Sequence, residues 1–347
     1  MGVKGSVLAM LAVALLAGGC GQSPGPGVLE KEAAGEAPVW PQPPLRPRIR
    51  YVRTVKHPAD LGIQPSFWQR VKEFVAGAEE EWFIRPTGVA ARGRIVYVAD
   101  PGSQALWILD PEAGSSLRVQ EAGGERLVSP VSVAPGRGGD IYLADSHLAK
   151  VFVYSPRGEL KKTIGLPSLR RPAGLAYDEA RGRLYVADSA AHRVWVLNDE
   201  GALIGEIGKR GTMSGEFNFP THVAVDREGA LYVTDGLGFR LQFFTPAGEF
   251  TGQFGRHGDS SGDFARPKGV ATDSEGHIYV VESLFDAIQI FDRNGRYLLT
   301  FGERGIRPGQ FWLPGGIFID SRDRIYVADA YNQRVQIFEH LAGKAND

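Results

Sequence analysis

The sequence predicts an all-β, six-bladed β-propeller, and three observations predict it. A two-part pattern recurs six times from residue 85 onward; the acidic residues closing its second part lie 45, 43, 47, 47 and 47 positions apart; and 45 of 347 residues are glycine. That is about 13% of the chain, against a usual share of ~7%, and without a collagen-like period it means many tight turns. Units of this length hold four short strands, and six such sheets set radially shield most of their edges from solvent.

Each unit opens on a proline and a short apolar strand, at residues 86–90, 130–134, 172–176, 220–224, 267–271 and 314–318. A second strand follows, with Tyr97, Tyr142, Tyr185, Tyr232, Tyr279 or Tyr326 three residues before its closing carboxylate. Runs of β-branched and aromatic residues separated by Gly, Asp, Asn and Pro clusters then mark the outer strands. In the fifth unit the four strands are expected at 269–272, 277–281, 287–291 and 296–301, the last hairpin turning on Asn294-Gly295. The sixth unit runs out of chain after 335–338, before an outer strand. Residues 50–55 (RYVRTV) resemble the fifth unit's outer strand at 296–301 (RYLLTF), so they are expected to pair with 335–338 and latch the ring.

Between that strand and the first blade, Phe67, Trp68, Val71, Phe74 and Val75 fall at helical spacing ahead of the acidic run 79–81, which predicts a short amphipathic helix within 66–82. It is expected to pack against the domain, cap the propeller or dock a partner.

The N-terminus reads as an export signal: Lys4, an apolar run over 7–17, then Leu16-Ala17-Gly18-Gly19-Cys20. Small residues directly before a cysteine resemble a bacterial lipobox, in which Cys20 becomes the lipidated first residue; an ordinary cleaved signal or an uncleaved anchor are the alternatives. Gly21 is not Asp, so retention at an inner membrane is not signalled, and the outer membrane is favoured where there is one. Residues 21–47, rich in Gly, Pro, Ala and Glu, read as a flexible tether. The expected organisation is signal 1–20, tether 21–47, closing strand and helix 48–84, blades 85–340 and tail 341–347.

Cys20 is the single cysteine, which excludes an intrachain disulfide or a cysteine-rich metal site. A formal net charge of -1 supplies no global attraction to nucleic acid or to an anionic membrane, so no nucleic-acid partner is expected and membrane contact is assigned to the lipid anchor alone.

Taken together, Pro-x-Gly-Val-Ala, Ile-Tyr-Val-Ala-Asp, Arg-Val-Gln-Ile-Phe, then Phe-Gly and Gly-x-Phe before the next proline resemble the NHL repeat, most fully at 220–264 and 267–311. The resemblance covers about residues 85–340 and the closing strand. It implies a six-bladed propeller. NHL propellers serve as bacterial sensor domains, as animal modules that bind RNA or protein, and, with variation, as peptidyl-amidoglycolate lyases; related propellers include calcium-dependent lactonases. A fold this versatile does not name a function, so function is argued from a site.

Propeller ligands meet the face made by the loops entering the inner strands and those joining the second and third strands. On that face the candidates are His192, Arg193, His222, Phe239, Arg240, Tyr331, Asn332 and Arg334. Exposed aromatics there suit a protein or glycan partner, or else pack between blades. Asp188, Asp235 and Asp329 stand five positions before Arg193, Arg240 and Arg334, so each pair either caps a turn within its blade or contributes to a ring of charge. The entering loops carry eleven basic residues, Arg171, Arg266 and Lys268 among them, against six acidic ones, which permits an anionic partner.

An enzyme needs convergent groups. His147, His192 and His222 are the available top-face histidines, at unlike loop positions, and the inner strands offer mainly Gly, Ala and Val rather than carboxylates for calcium. His-Glu-x-x-His does not occur. No metal and no cofactor are expected. The reading is a monomeric, envelope-tethered binding or scaffolding module for a protein or envelope polymer; the alternative is a metal-dependent hydrolase or lyase with its site at the channel mouth.

Overall fold

A computed structural model describes residues 37–64 and 83–341. The lipobox at Cys20, residues 21–36 of the tether and the helix expected within 66–82 lie outside the described residues.

Five blades are consecutive four-stranded antiparallel meanders: the first runs Gly88–Arg92, Ile95–Asp100, Ala105–Asp110, Ser115–Val119, and the fifth Pro267–Thr272, Ile278–Glu282, Ala287–Phe291, Tyr297–Phe301. Blade 6 takes its inner three strands, Pro314–Ile319, Arg324–Asp329 and Arg334–His340, from the C-terminus and its fourth, Ile49–Val55, from the N-terminus. The closing register is the expected one: Val55 faces Val335, Thr54 faces Gln336, Arg53 faces Ile337 and Tyr51 faces Phe338, with one bulge between. Composition assigns residues 37–47 to the tether, but here the structure differs. Val39–Trp40 forms a fifth strand on Ile49–Arg50, because Trp40 has an apolar place to go: its ring lies 5.7 Å from Phe301 and 5.9 Å from Phe338.

Period-2 alternation builds the core. On the second strand of blade 1, Val96 and Val98 turn toward blade 6 and join Tyr326, Val335 and Ile337, while Tyr97 and Ala99 turn the other way to Leu143 and Phe152 of blade 2. One such cluster fills each of the six seams. Every fully buried Leu, Ile, Phe or Val in them contributes about 1.5–3 kcal/mol, so the ring is held by its seams rather than by a central core.

At the axis four of the six inner strands come too close to a neighbour for a side chain. A Cβ on Gly174 would stand 2.7 Å from His222 Cα, and one on Gly269 would stand 2.7 Å from the backbone nitrogen of Ile317, which is why blades 1, 3, 5 and 6 keep glycine there while blades 2 and 4 carry Ser132 and His222.

Candidate functional site

Just after the proline, the ladder between the first and second strands slips by a residue in blades 3 and 4 and is irregular in blades 5 and 6. In all six blades the residue after the proline, Thr87, Val131, Ala173, Thr221, Lys268 or Gly315, lines a funnel of about 530 Å³ on the axis. The residue before the proline lines it too in five blades, as Arg85, Arg171, Phe219, Arg266 or Leu313. The funnel narrows onto His222, which also borders a lower vestibule walled by Val89, Val133, Leu175, Val223, Val270 and Ile317.

The funnel is electropositive for a structural reason. The acidic residue ending each second strand is fully buried, and it spends its oxygens on the loop that leads into the inner strand. Asp100 accepts the backbone N–H of Arg85 at 2.9 Å, Asp188 that of Arg171 at 2.9 Å, and Glu282 that of Arg266 at 2.7 Å. Each carboxylate therefore fixes an arginine's backbone while leaving its guanidinium free. Among the described residues, Arg85, Arg171, Arg266 and Lys268 have no ion-pair partner, and no carboxylate lines the funnel. Burial pushes the Lys268 ammonium below the usual lysine range, with the charges of Arg266 and Arg171 adding to it. Burial likewise pushes His222 down to about 3, helped by Lys268, so its imidazole is neutral. His222 Nδ1 and Thr221 Oγ1 are buried without a hydrogen-bond partner. Crowded cations above two unsatisfied polar atoms make a receptor for an anionic group.

Exposed apolar side chains stand on the same face in blades 4 to 6: Phe219, Leu237, Leu284, Trp312 and Tyr331, with the last two rings 5.8 Å apart. Phe219, Leu237 and Tyr331 reach the funnel itself.

The NHL repeat family profile matches residues 169–197 and 311–338, within blades 3 and 6. The propeller carries NHL repeats. Over 137 residues, 38% of this chain, it is 28% identical to Protein brain tumor of Drosophila melanogaster, and it spans 13% of that protein's length. Solved structures share the fold. A structural genomics protein of unknown function from Bacteroides thetaiotaomicron superposes with a TM-score of 0.59 at 18% identity, covering 74% of this chain and 70% of that one. Virginiamycin B lyase from Staphylococcus aureus superposes with a TM-score of 0.56 at 15% identity, covering 74% and 96%. NHL propellers are generally protein-interaction modules.

Of the residues singled out from sequence, this NHL propeller brings His222 and Tyr331 to the funnel. His192 is buried at the seam of blades 3 and 4, its Nδ1 accepting the Phe219 N–H at 3.2 Å. Phe239 packs on His257 with ring centroids 4.5 Å apart. Asn332 donates to the Gly305 carbonyl and to Asp329. Arg240 and Arg334 are buried against Asp235 and Asp329 at 3.0 and 2.7 Å, capping turns within their blades. Arg193 does not pair with Asp188. The indole N–H of Trp195 takes that carboxylate at 3.1 Å, in the place of Gln242 and Gln336, and Arg193 turns outward to Glu206 at 2.6 Å. Burial pushes the carboxyls of Asp235, Glu282 and Asp329 upward, only partly offset by their donors. His147, His192 and His222 do not converge; the first lies exposed on its loop. Arg85 and Thr221 went unremarked in the sequence. Aligning the positions either side of each unit's proline would have found them.

Proposed function

We propose that this chain is a lipid-anchored recognition module of the bacterial cell envelope, which seats a carboxylate or phosphate of a protein partner in the axial funnel and packs that partner on the apolar rim of blades 4 to 6. The observation that carries the reading is the set of four cations, Arg85, Arg171, Arg266 and Lys268, facing one cavity without an ion-pair partner among the described residues. Arginine, tryptophan and tyrosine, all present on this face, are the residues most enriched at protein-binding hot spots. The alternative, a hydrolase or lyase at the channel mouth, finds one imidazole there and no carboxylate among the described residues, which is neither a calcium ligand set nor an acid–base pair.

The test is a pull-down from membrane extract with detergent-solubilised full-length chain, beside a Lys268→Glu, Arg171→Glu variant. Reversing Arg240 and Arg334 instead would disrupt the blade interior rather than the receptor. A protein retained by the wild type, lost by the variant and released by salt supports the reading. Equal capture by both overturns the funnel as the site, and capture of a protease-resistant anionic polymer replaces the protein partner with an envelope polymer. For the anchor, metabolic labelling with a fatty acid is expected in the wild type and not in Cys20→Ser; equal labelling refutes lipidation at Cys20.

A further inference from the structure

On the face opposite the funnel, two histidines that neither the repeat nor the funnel requires meet a carboxylate. Asp273 sits in the turn after the inner strand of blade 5, His277 ends the same turn, and His340 is the last residue of the third strand of blade 6, opposite Ile49 of the closing strand. Their ligating atoms all lie within 4.8 Å of one another. We propose that Asp273, His277 and His340 form a transition-metal site, suited to Zn²⁺, that ties blade 5 to the seam where the ring closes.

The carboxylate alone is not the argument, because it belongs to the repeat. Asp226 and Asp320 cap the corresponding turns of blades 4 and 6 and accept the hydroxyls of Tyr232 and Tyr326, just as Asp273 accepts Tyr279 at 3.0 Å. Those turns are complete without histidine. Blade 5 differs by two imidazoles directed at the same oxygen, Asp273 Oδ2: His277 Nδ1 at 2.8 Å and His340 Nδ1 at 3.5 Å.

His340 decides between a hydrogen-bonded triad and a metal site. Its side chain is 5% exposed, and its Nδ1 is buried with no hydrogen-bond partner. At 3.5 Å the atom stands outside hydrogen-bonding range of Asp273. Donors bound to Zn²⁺ at about 2.0–2.2 Å in a tetrahedron are ~3.3–3.5 Å apart, so this separation is that of two ligands on one ion. Metal entry replaces the proton shared by His277 and Asp273 and opens that contact by about 0.5 Å. Neutral imidazole and carboxylate are a borderline donor set, the kind Zn²⁺ takes. The backbone N–H of His277 donates to Asp273 Oδ1 at 2.8 Å and the Tyr279 hydroxyl to Oδ2 at 3.0 Å, and the two fix the orientation of the carboxylate. His277 is 27% exposed and gives the ion an approach, with the Glu275 carboxylate 3.9 Å from its Nδ1 or a water to complete the tetrahedron.

The test uses full-length chain stripped with chelator and dialysed against ZnCl₂, with metal content measured by mass spectrometry. About one Zn²⁺ per chain is expected, and at a hundredfold excess over the dissociation constant the melting temperature rises by about 4–8 °C. CoCl₂ in place of zinc gives the intense visible absorption of tetrahedral Co²⁺, a readout that needs no variant. His340→Gln and His277→Gln each lower the affinity at least about tenfold and abolish the melting shift; the more exposed His277 is the safer substitution for folding, since Tyr279 still holds Asp273. No retained zinc, no tetrahedral Co²⁺ spectrum, or zinc retained equally by both variants overturns the site.

Discussion

Replacing Asp329 by alanine tests how the buried carboxylates hold the upper loops. Asp329 is fully buried and accepts the Trp312 N–H at 2.8 Å, Asn332 Nδ2 at 2.9 Å, Arg334 Nε at 2.7 Å and Gln336 Nε2 at 3.1 Å. The Arg334 guanidinium is only 4% exposed, and its remaining donors are bound to the carbonyls of Ile306, Arg307 and Gln310. Asp329→Ala therefore leaves a buried cation facing carbonyl dipoles alone, a break that costs about 3–5 kcal/mol. Asp188 is the control. It occupies the same position in blade 3 but holds only backbone N–H groups and the Trp195 indole, so Asp188→Ala strands no charge and is expected to cost about 1–3 kcal/mol. In Asp329→Ala, Arg334→Met the charge goes as well, and the double variant is expected to be more stable than the sum of its single changes by about 1–3 kcal/mol. Equilibrium denaturation in urea, checked for coincident transitions by fluorescence and circular dichroism, measures all four proteins. Equal losses from Asp329→Ala and Asp188→Ala, or strict additivity in the double variant, would refute the argument that the arginine's charge sets the cost.

Three further outcomes are expected. Ile49 and Val55 of the closing strand are fully buried in seam clusters, so Ile49→Ala costs about 2–5 kcal/mol and deleting 48–56 abolishes cooperative unfolding; an unchanged thermal transition in the deletion contradicts the latch. Gly269→Val drives a side chain into the backbone of the next inner strand and costs about 1–3 kcal/mol or more by the same denaturation assay, whereas stability within 0.5 kcal/mol (roughly the noise of such substitutions) contradicts the close approach. His222 is held neutral in the fold, down to about 3 from an ordinary 6.5, so the unfolded chain takes the proton first and the histidine's contribution fades as pH falls from 6.5 toward 3. Subtracting the melting curve of His222→Gln from the wild type over that window isolates the effect, and a flat difference rules it out.

How much was legible follows from what each feature depends on. The blades were readable because a period of 43–47 residues and strict alternation are local properties of the chain, and the closing strand was readable because RYVRTV repeats the pattern of a complete unit. The short strand at Val39–Trp40 was hidden in a segment whose average composition opposes structure; one tryptophan with a place on Phe301 and Phe338 outweighs that average. The arginine pairs were readable where Gln242 and Gln336 leave the carboxylate free to take a guanidinium, and failed in blade 3, where the larger Trp195 claims the same oxygen.

The funnel and the metal cluster share a different kind of concealment. Arg85, Arg171, Arg266 and Lys268 each look like an ordinary loop cation within its own unit, and their meaning comes from a common position beside the proline, which the ring brings to one axis. The sequence reading sets His277 at the start of a strand and leaves Asp273 and His340 beyond the ends of theirs, and nothing links the three until blades 5 and 6 are set side by side. A radial repeat fixes its carboxylates to hold loops in place, and so frees the positions beside them to vary without unfolding the blade. On one face that freedom has been used to gather cations around His222, and on the other to direct two imidazoles at a carboxylate already held by Tyr279. The chemistry of the molecule lies in these departures from the repeat, at places where only neighbouring blades can complete it.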